Sequence, residues 1–327
     1  MVREVPLEVR LPATHELAIG TELEGVIVRD YGLWFDVQTG AGIVRCTLRG
    51  ILKRERVKTD LAAVGDRVRV SVASLETDPP EGSIEEVAPR TRSLSRLARG
   101  TDDVEQVILA NPDQLLAVFA IEEPSPSPRM IDRMLLIAEA RDLPAVVCFN
   151  KIDLDAAELL GELTERFTMA GYPVLQTSAE SGEGLDELRE RLQDKITAFA
   201  GPSGVGKSTL LNALAPDIDA RTGEVSDATG KGRHTTTWVQ LFQIAPDTYI
   251  GDTPGMRQIG LWGVEFDYLD EYFPEFQPYL GQCRFRDCRH LSEPGCAVLE
   301  ALEAGKLHRD RYDSYRALIG GDEEDLG

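Results

Sequence analysis

Gly201-Pro202-Ser203-Gly204-Val205-Gly206-Lys207-Ser208 fits G-x-x-x-x-G-K-[ST] at every fixed position. It follows the apolar run Ile196–Ala200 and opens a helical stretch from Lys207, the strand–loop–helix setting that the motif needs. Glycines let the backbone wrap closely around phosphate, and the loop amides and helix N-terminus then meet its negative charge. Gly201, Ser203, Gly204, Val205, Gly206, Lys207, Ser208 and Thr209 are therefore the expected phosphate contacts. Lys207 reaches the outer phosphates and is a catalytic candidate; Ser208 ligates Mg²⁺. A chance glycine-rich turn would not combine strand, lysine, hydroxyl and helix in this order.

The loop does not choose the base. Asn150-Lys151-Ile152-Asp153 ends the apolar run Ala145–Asn150, where a base-reading loop belongs. A carboxylate at Asp153 accepts from the ring N–H and the exocyclic amine of guanine, and adenine has no amine donor there. Leaving that carboxylate unpaired would be penalised as an unsatisfied charge. N-K-x-D alone is a weak signal and often only a helix cap. Here Thr177-Ser178-Ala179 ends the next strand-like run and looks like the GTPase loop whose backbone amide supports the guanine oxygen. Asn150, Lys151, Asp153, Ser178 and Ala179 are thus the base-side candidates, with the Lys151 stem along the base plane.

Asp252-Thr253-Pro254-Gly255 follows a strand and matches the GTPase D-x-x-G, with Asp252 toward Mg²⁺ through water and the Gly255 amide toward the γ-phosphate. Upstream, Gly232-Arg233-His234-Thr235-Thr236-Thr237 supplies a threonine for Mg²⁺; register selects Thr236 and leaves Thr235 and Thr237 open. The preceding Arg221–Gly232 is rich in Gly, Asp and Ser and suits a switch ordered by γ-phosphate and Mg²⁺. Met256 stands where Ras-type enzymes carry a water-orienting glutamine, and a thioether is too weak an acceptor for that task. Slow intrinsic turnover is expected.

Around these motifs, apolar strands alternate with amphipathic helices. Strands are expected at Leu115–Ile121, Ala145–Asn150, Pro173–Thr177, Ile196–Ala200, Trp238–Ile244 and Thr248–Asp252. Helices fall near Ile131–Ala140, Ala156–Ala170 and Leu185–Lys195, and from Lys207. Three prolines make 122–128 a loop. This pattern gives an α/β fold with a doubly wound, mostly parallel sheet. Ras-type GTPases place the phosphate loop first; here the base-reading loops come first, which makes the domain circularly permuted. Chain ends of compact domains lie close together, so such rewiring preserves the site.

The first ninety residues read instead as five short strands: Thr21–Arg29, Gly32–Thr39, Gly42–Arg49, Asp66–Ser74 and Gly82–Ala88. Leu33, Phe35 and Val37 are expected on one face, with Trp34, Asp36 and Gln38 on the other. The longest connection, 50–65, leaves room for a helical turn. The count and spacing suit an OB-type β-barrel. The expected division is an OB-fold RNA-binding domain over 1–92, a permuted GTPase domain over 93–262, and a helical zinc-binding domain with an acidic, disordered tail over 263–327.

The chain has 327 residues, 42% hydrophobic and 28% charged, which suits two or three globular domains and excludes a collagenous or wholly disordered chain. No apolar run approaches the ~20 residues of a membrane span, and the N-terminus has no signal core, so no membrane partner and a cytoplasmic location are expected. Five cysteines without a signal argue against disulfides. Cys46 and Cys148 read as core residues. Cys283-x₄-Cys288-x-His290-x₅-Cys296 supplies three thiolates and an imidazole, a closed tetrahedral set suited to one structural Zn²⁺. His15 and His308 have no such company and are expected in solvent.

Net charge is −21, which opposes non-specific nucleic-acid binding, so RNA contacts must be local. Residues 41–70 nonetheless carry eight basic and three acidic residues. Arg45, Arg49, Lys53, Arg54, Arg56 and Lys58, beside Trp34, are the expected stripe along an RNA backbone; the plainer reading is a solvated loop. Near the C-terminus, Tyr312, Tyr315 and Leu318 or Ile319 form one helical face, with the arginines of 309–316 outward.

The motif order, Gly-Arg-His-Thr-Thr-Thr at 232–237, Asp-Thr-Pro-Gly at 252–255 and the cysteine–histidine spacing together resemble the ribosome small subunit-dependent GTPase A family over nearly the whole chain. The resemblance implies a late assembly factor of the small ribosomal subunit that binds its rRNA and hydrolyses GTP to GDP when the subunit stimulates it; a monomer is expected. It also implies that His234 positions the attacking water, against the plainer reading of a solvated switch residue. Two other classes compete: a GTP-gated RNA-binding factor for another ribonucleoprotein with little turnover, and a metabolic P-loop kinase. A kinase needs an acceptor-binding lid, and no segment here suits one.

Overall fold

The computed structural model describes residues 17–50, 59–97, 105–154, 156–216, 239–252, 264 and 266–320. They fall into two compact units, one within Met1–Val57 and Leu61–Pro89, the other within Lys58–Asp60 and Arg90–Gly327.

The first unit is a five-stranded barrel. β1 (Glu22–Asp30) pairs antiparallel with β2 (Phe35–Thr39), β2 with β3 (Gly42–Leu48), and β3 runs parallel to β5 (Glu81–Val87). β5 pairs antiparallel with β4 (Arg67–Ser74), and β4 returns to β1, closing the OB-type order. Period-two alternation sends Val68, Val70 and Val72 inward with Ile27, Val37, Val44 and Ile84. The second strand keeps its expected alternation over Phe35–Val37 but is shorter than expected. It starts at Phe35, leaving Leu33 in an exposed turn at 75%, while Asp36 is buried at 4%. Asp36 is covered because Arg45 Nε and Nη2 donate to its two oxygens at 2.8 and 3.1 Å, and Tyr31 Oη donates to Oδ2.

The second unit begins with an antiparallel pair absent from the expected pattern, β6 (Ser93–Leu97) and β7 (Glu105–Ala110). Then follow β8 (Gln114–Ala120), α1 (Pro128–Glu139), β9 (Ala145–Asn150), α2 (Ala157–Met169), β10 (Val174–Thr177) and α3 (Leu185–Leu192). β11 (Ile196–Ala200), α4 (Lys207–Leu214), β12 (Gln240–Ala245) and β13 (Thr248–Asp252) complete the sheet. β10, β9, β8, β11 and β13 lie side by side and parallel, and β12 runs antiparallel to β13. The strand bearing the phosphate loop is late in the chain, yet it sits in mid-sheet between β8 and β13. Every residue of β8, β9 and β11 is buried, as a parallel sheet covered on both faces requires. α1 starts earlier than expected, inside the proline-rich stretch: Ser127 caps it by accepting from the Met130 amide, and Pro128 takes the first turn, where no N–H is needed.

The chain then forms 3₁₀ segments at Phe266–Tyr272 and Pro274–Tyr279, α5 (Ala297–Glu303) and α6 (Arg309–Gly320). Tyr312, Tyr315 and Leu318 are buried with Phe273 and Phe276, and Leu136 of α1 joins the same core. Arg311 was expected outward and is instead buried, its side chain 2% exposed. It donates to both Glu275 oxygens at 2.7 and 3.2 Å and to Asp132 Oδ1 at 2.6 Å. Asp132 also accepts from Arg166 and from Ser314 Oγ. Burial alone would lower the Arg311 pKa; Asp132 and Glu275 outweigh it and hold the guanidinium well above its ordinary value. The charge cluster fixes α6 to α1 and α2. His308 is not simply solvated: its Nδ1 accepts from the Asp310 amide at the start of α6. Among the described residues, no helix is long and apolar enough to cross a membrane. The tail from residue 321, the connection over 51–58 and His15 lie outside the described residues.

Candidate functional site

The C-terminal ends of β9, β10, β11 and β13 lie at one edge of the parallel sheet, because parallel strands all finish on the same side. Gly201-Pro202-Ser203-Gly204-Val205-Gly206 joins β11 to α4, with Lys207 at the first position of the helix. Two glycines are sterically obligatory. A Cβ on Gly201 would lie 2.0 Å from Val118 O, and one on Gly206 2.3 Å from Asn150 Nδ2, and both have positive φ.

Lys207 Nζ donates to the carbonyls of Gly201 at 2.9 Å and Pro202 at 2.8 Å, curling over the loop. Burial lowers its pKa, an effect that nearby Asp252 opposes. Asp252 mirrors it: burial raises the carboxyl, and Lys207 opposes the rise. Among the described residues, Asp252 Oδ1 is buried without a hydrogen-bond partner. A buried carboxylate oxygen with no donor among the described residues, near the lysine of the G-x-x-x-x-G-K-[ST] loop, fits a place for a hydrated cation. Ser208 is half-buried at the head of α4; Thr209, Ser203 and Gly204 are exposed and Val205 is buried.

Asn150 ties three loops together. Its Nδ2 donates to Val205 O at 2.9 Å, and its Oδ1 accepts from Thr177 Oγ1 and from the Ala179 amide, each at 3.2 Å. Lys151 adopts φ 64° and donates from Nζ to the Glu123 carbonyl, which brings the loop before α1 over the base side. Asp153 is exposed at the site, and Ser178 Oγ donates to its Oδ1, leaving its second oxygen for a ligand. The structure thus brings Asn150, Lys151, Asp153, Ser178, Ala179, Lys207 and Ser208 to one edge. His234, Thr236, Gly255 and Met256 lie outside the described residues.

After the sheet, the ligand atoms of Cys283, Cys288, His290 and Cys296 all lie within 4.8 Å of one another, an arrangement that could hold a metal ion. Burial of the Glu293 carboxyl would raise its pKa, but the amides of Ser292, Arg289 and Leu291 outweigh this and hold it at about 2. That carboxylate builds the tight turn in which His290 takes φ 57°. Between the ligands, Arg284, Phe285, Arg286 and Arg289 are exposed, with the Arg284 guanidinium 5.5 Å from the Phe285 ring centre. The alternating basic and aromatic residues of 284–289 were legible in the sequence as a surface signal but were obscured by the metal spacing. Cys46 and Cys148 are buried, and burial pushes both thiols up to about 12, as inert core residues.

On the barrel, Arg45 is engaged with Asp36 and Arg49 with Glu85, while Arg49 remains 61% exposed. Lys53, Arg54, Arg56 and Lys58 lie outside the described residues.

A phosphate loop in mid-sheet, read from a strand that follows the base-side strands in the chain, defines a circularly permuted P-loop GTPase. The RsgA GTPase family profile matches residues 87–262, and the RsgA N-terminal domain profile matches residues 24–77. The Small ribosomal subunit biogenesis GTPase RsgA of Gemmatimonas aurantiaca is 45% identical over 299 residues, covering 91% of this chain and 97% of that protein. Its counterpart of the same name from Chlorobaculum tepidum is 43% identical over 303 residues, covering 91% and 97%. The crystal structure of YjeQ from Thermotoga maritima superposes with a TM-score of 0.72 at 33% identity, covering 92% of this chain and 98% of that one. YloQ, described as a circularly permuted GTPase, superposes with a TM-score of 0.71 at 30% identity, covering 96% and 99%. The chain belongs to the RsgA/YjeQ family of circularly permuted GTPases.

Proposed function

We propose that this protein hydrolyses GTP in the maturation of the small ribosomal subunit, binding the subunit's rRNA and being stimulated by it. The observation that carries the reading is the buried Asp252 carboxyl, which feels the Lys207 charge and whose Oδ1 has no donor among the described residues, on the same sheet edge as the Asp153–Ser178 contact. Lys207 and the amides of Gly204–Ser208 would cradle the β- and γ-phosphates. Mg²⁺, held by Ser208 and Thr236 and through water by Asp252, would offset phosphate charge. Asp153 selects guanine, and Gly255 and His234 act on the γ-phosphate side when the switch closes. GDP and phosphate are the products.

The cysteine–histidine set suits one structural zinc. With Zn–S ~2.3 Å and Zn–N ~2.0 Å, a tetrahedron has edges of about 3.8 Å between sulfurs and about 3.5 Å from sulfur to nitrogen. Cys283 Sγ to Cys296 Sγ is 3.9 Å, and His290 Nδ1 lies 3.6 Å from Cys283 Sγ and 3.3 Å from Cys296 Sγ. Four protein ligands leave no open position, so the metal's role is to hold the fold.

The functional division is a barrel over 1–92, a GTPase domain over 93–262 and a metal-bearing helical region over 263–327, in a cytoplasmic monomer. RNA contacts fall on the basic stripe Arg45, Arg49, Lys53, Arg54, Arg56 and Lys58, with Arg284, Phe285, Arg286 and Arg289 as a second surface; arginine and an exposed ring suit phosphate and unstacked bases. Sedimentation with small ribosomal subunits tests the partner. Co-sedimentation is expected with a non-hydrolysable GTP analogue and weaker co-sedimentation with GDP; no nucleotide dependence would count against the reading.

A further inference from the structure

His290 uses its two ring nitrogens on opposite sides. Nδ1 faces the thiol cluster, and Nε2 lies 3.3 Å from Asp270 Oδ2. A neutral imidazole that gives the Nδ1 lone pair to a metal must carry its proton on Nε2. His290 is only 3% exposed, so that N–H needs an acceptor inside the protein. Asp270 supplies one from a segment twenty residues upstream, the 3₁₀ turn Phe266–Tyr272.

The backbone of His290 is fixed without Asp270. Tyr312 Oη donates to the His290 carbonyl at 2.8 Å, Tyr315 Oη donates to the Arg289 carbonyl at 2.9 Å, and Glu293 accepts the neighbouring amides. What these contacts leave free is rotation of the ring and choice of tautomer. Leu269 and Phe273, both buried, hold the 3₁₀ turn in the same core, so the carboxylate is presented from a fixed support.

We propose that Asp270 is the positioning residue of the metal centre: it fixes His290 as the Nε2–H tautomer, so that Nδ1 is the metal ligand. The same bond ties the 3₁₀ turn Phe266–Tyr272 to the metal cluster. The inference rests on the metal reading above, and its tests separate the two.

Metal analysis of the full-length protein comes first; absence of zinc overturns the metal reading itself. On the zinc-loaded protein, long-range ¹H–¹⁵N spectra of the histidines read the tautomer with no substitution. The expected pattern is a metal-bound Nδ1 and a protonated Nε2 that exchanges slowly with solvent; a metal-bound Nε2 overturns the proposal. Zinc transfer to a chromophoric chelator then gives the energetic test. Asp270→Ala is expected to speed release or weaken affinity by about 10–100-fold. Asp270→Asn keeps an acceptor oxygen and is expected to restore most of the affinity and the slow Nε2–H signal. Wild-type release from Asp270→Ala, or an Asp270→Asn protein as impaired as Asp270→Ala, would overturn it. Should Asp270→Ala fail to fold, the tautomer of the native protein and the release rate of Asp270→Asn still decide.

Discussion

Replacing Arg311 with methionine would leave two buried carboxylates short of their cation. Asp132 and Glu275 side chains are 1% and 3% exposed, so water cannot take the place of the guanidinium. Asp132 keeps Arg166 and Ser314, whereas among the described residues both side-chain hydrogen bonds to Glu275 come from Arg311. Breaking a buried pair by removing one partner costs about 3–5 kcal/mol, because the remaining charge is uncompensated. For a unit of this size, each kcal/mol moves the melting temperature by roughly 2–4 °C, so a fall of about 6–20 °C is expected. Thermal and urea denaturation of Arg311→Met read it directly. Arg311→Met combined with Glu275→Leu should recover much of the loss, since a buried pair replaced by apolar side chains is often near neutral. A loss below about 1 kcal/mol in the single variant, or no recovery in the double, would refute the reasoning.

Asp252 is expected to cost stability in the nucleotide-free protein. Its folded pKa is raised, so its favourable contribution is full below the unfolded carboxyl value of ~3.9 and is lost as pH rises through the folded value. Asp252→Asn should therefore raise the neutral-pH denaturation midpoint without nucleotide and abolish the added stabilisation by Mg²⁺ with GTP; an unchanged midpoint contradicts this. Asp153→Asn should lower GTP affinity and raise that for xanthosine triphosphate, whose base offers an acceptor; unchanged guanine preference in competition would remove the assignment. Cys288→Ser should lose zinc and locally unfold 263–320 while nucleotide binding survives, since binding energy in such sites is largely folding energy; full metal retention refutes it. Reversing Arg54 and Arg56 to glutamate should weaken subunit binding and flatten its salt dependence by a slope of roughly 1–2, with Arg284 and Arg286 reversals as the parallel test; an unchanged slope in both leaves these surfaces merely solvated.

The nucleotide loops were legible because their chemistry is local. Glycine positions, Lys207, Asp153 and Asp252 each sit at a strand end whose apolar run is contiguous with the motif. The metal set was legible for the same reason, with four ligands inside fourteen residues. Arg311 was not, although its spacing to Tyr315 and Leu318 places it on the buried stripe of α6. A charged residue on that stripe becomes intelligible only once its partners are known, and they lie 36 and 179 residues away. Asp270 escaped notice likewise, because an acid before a cysteine cluster carries no motif. In the barrel, alternation placed Asp36 on the face opposite Phe35 and Val37, but could not show that its ion pair with Arg45 covers it from water. The β6–β7 pair was missed because its strands are short and abut the longer apolar run of β8.

Phosphate release from GTP, measured with and without purified small ribosomal subunits, bears most directly on what this protein does. Slow release alone and a large increase with subunits are expected, with Lys207→Ala abolishing both. Equal rates in the presence and absence of subunits, or near-normal release by Lys207→Ala, would contradict the function proposed for this chain.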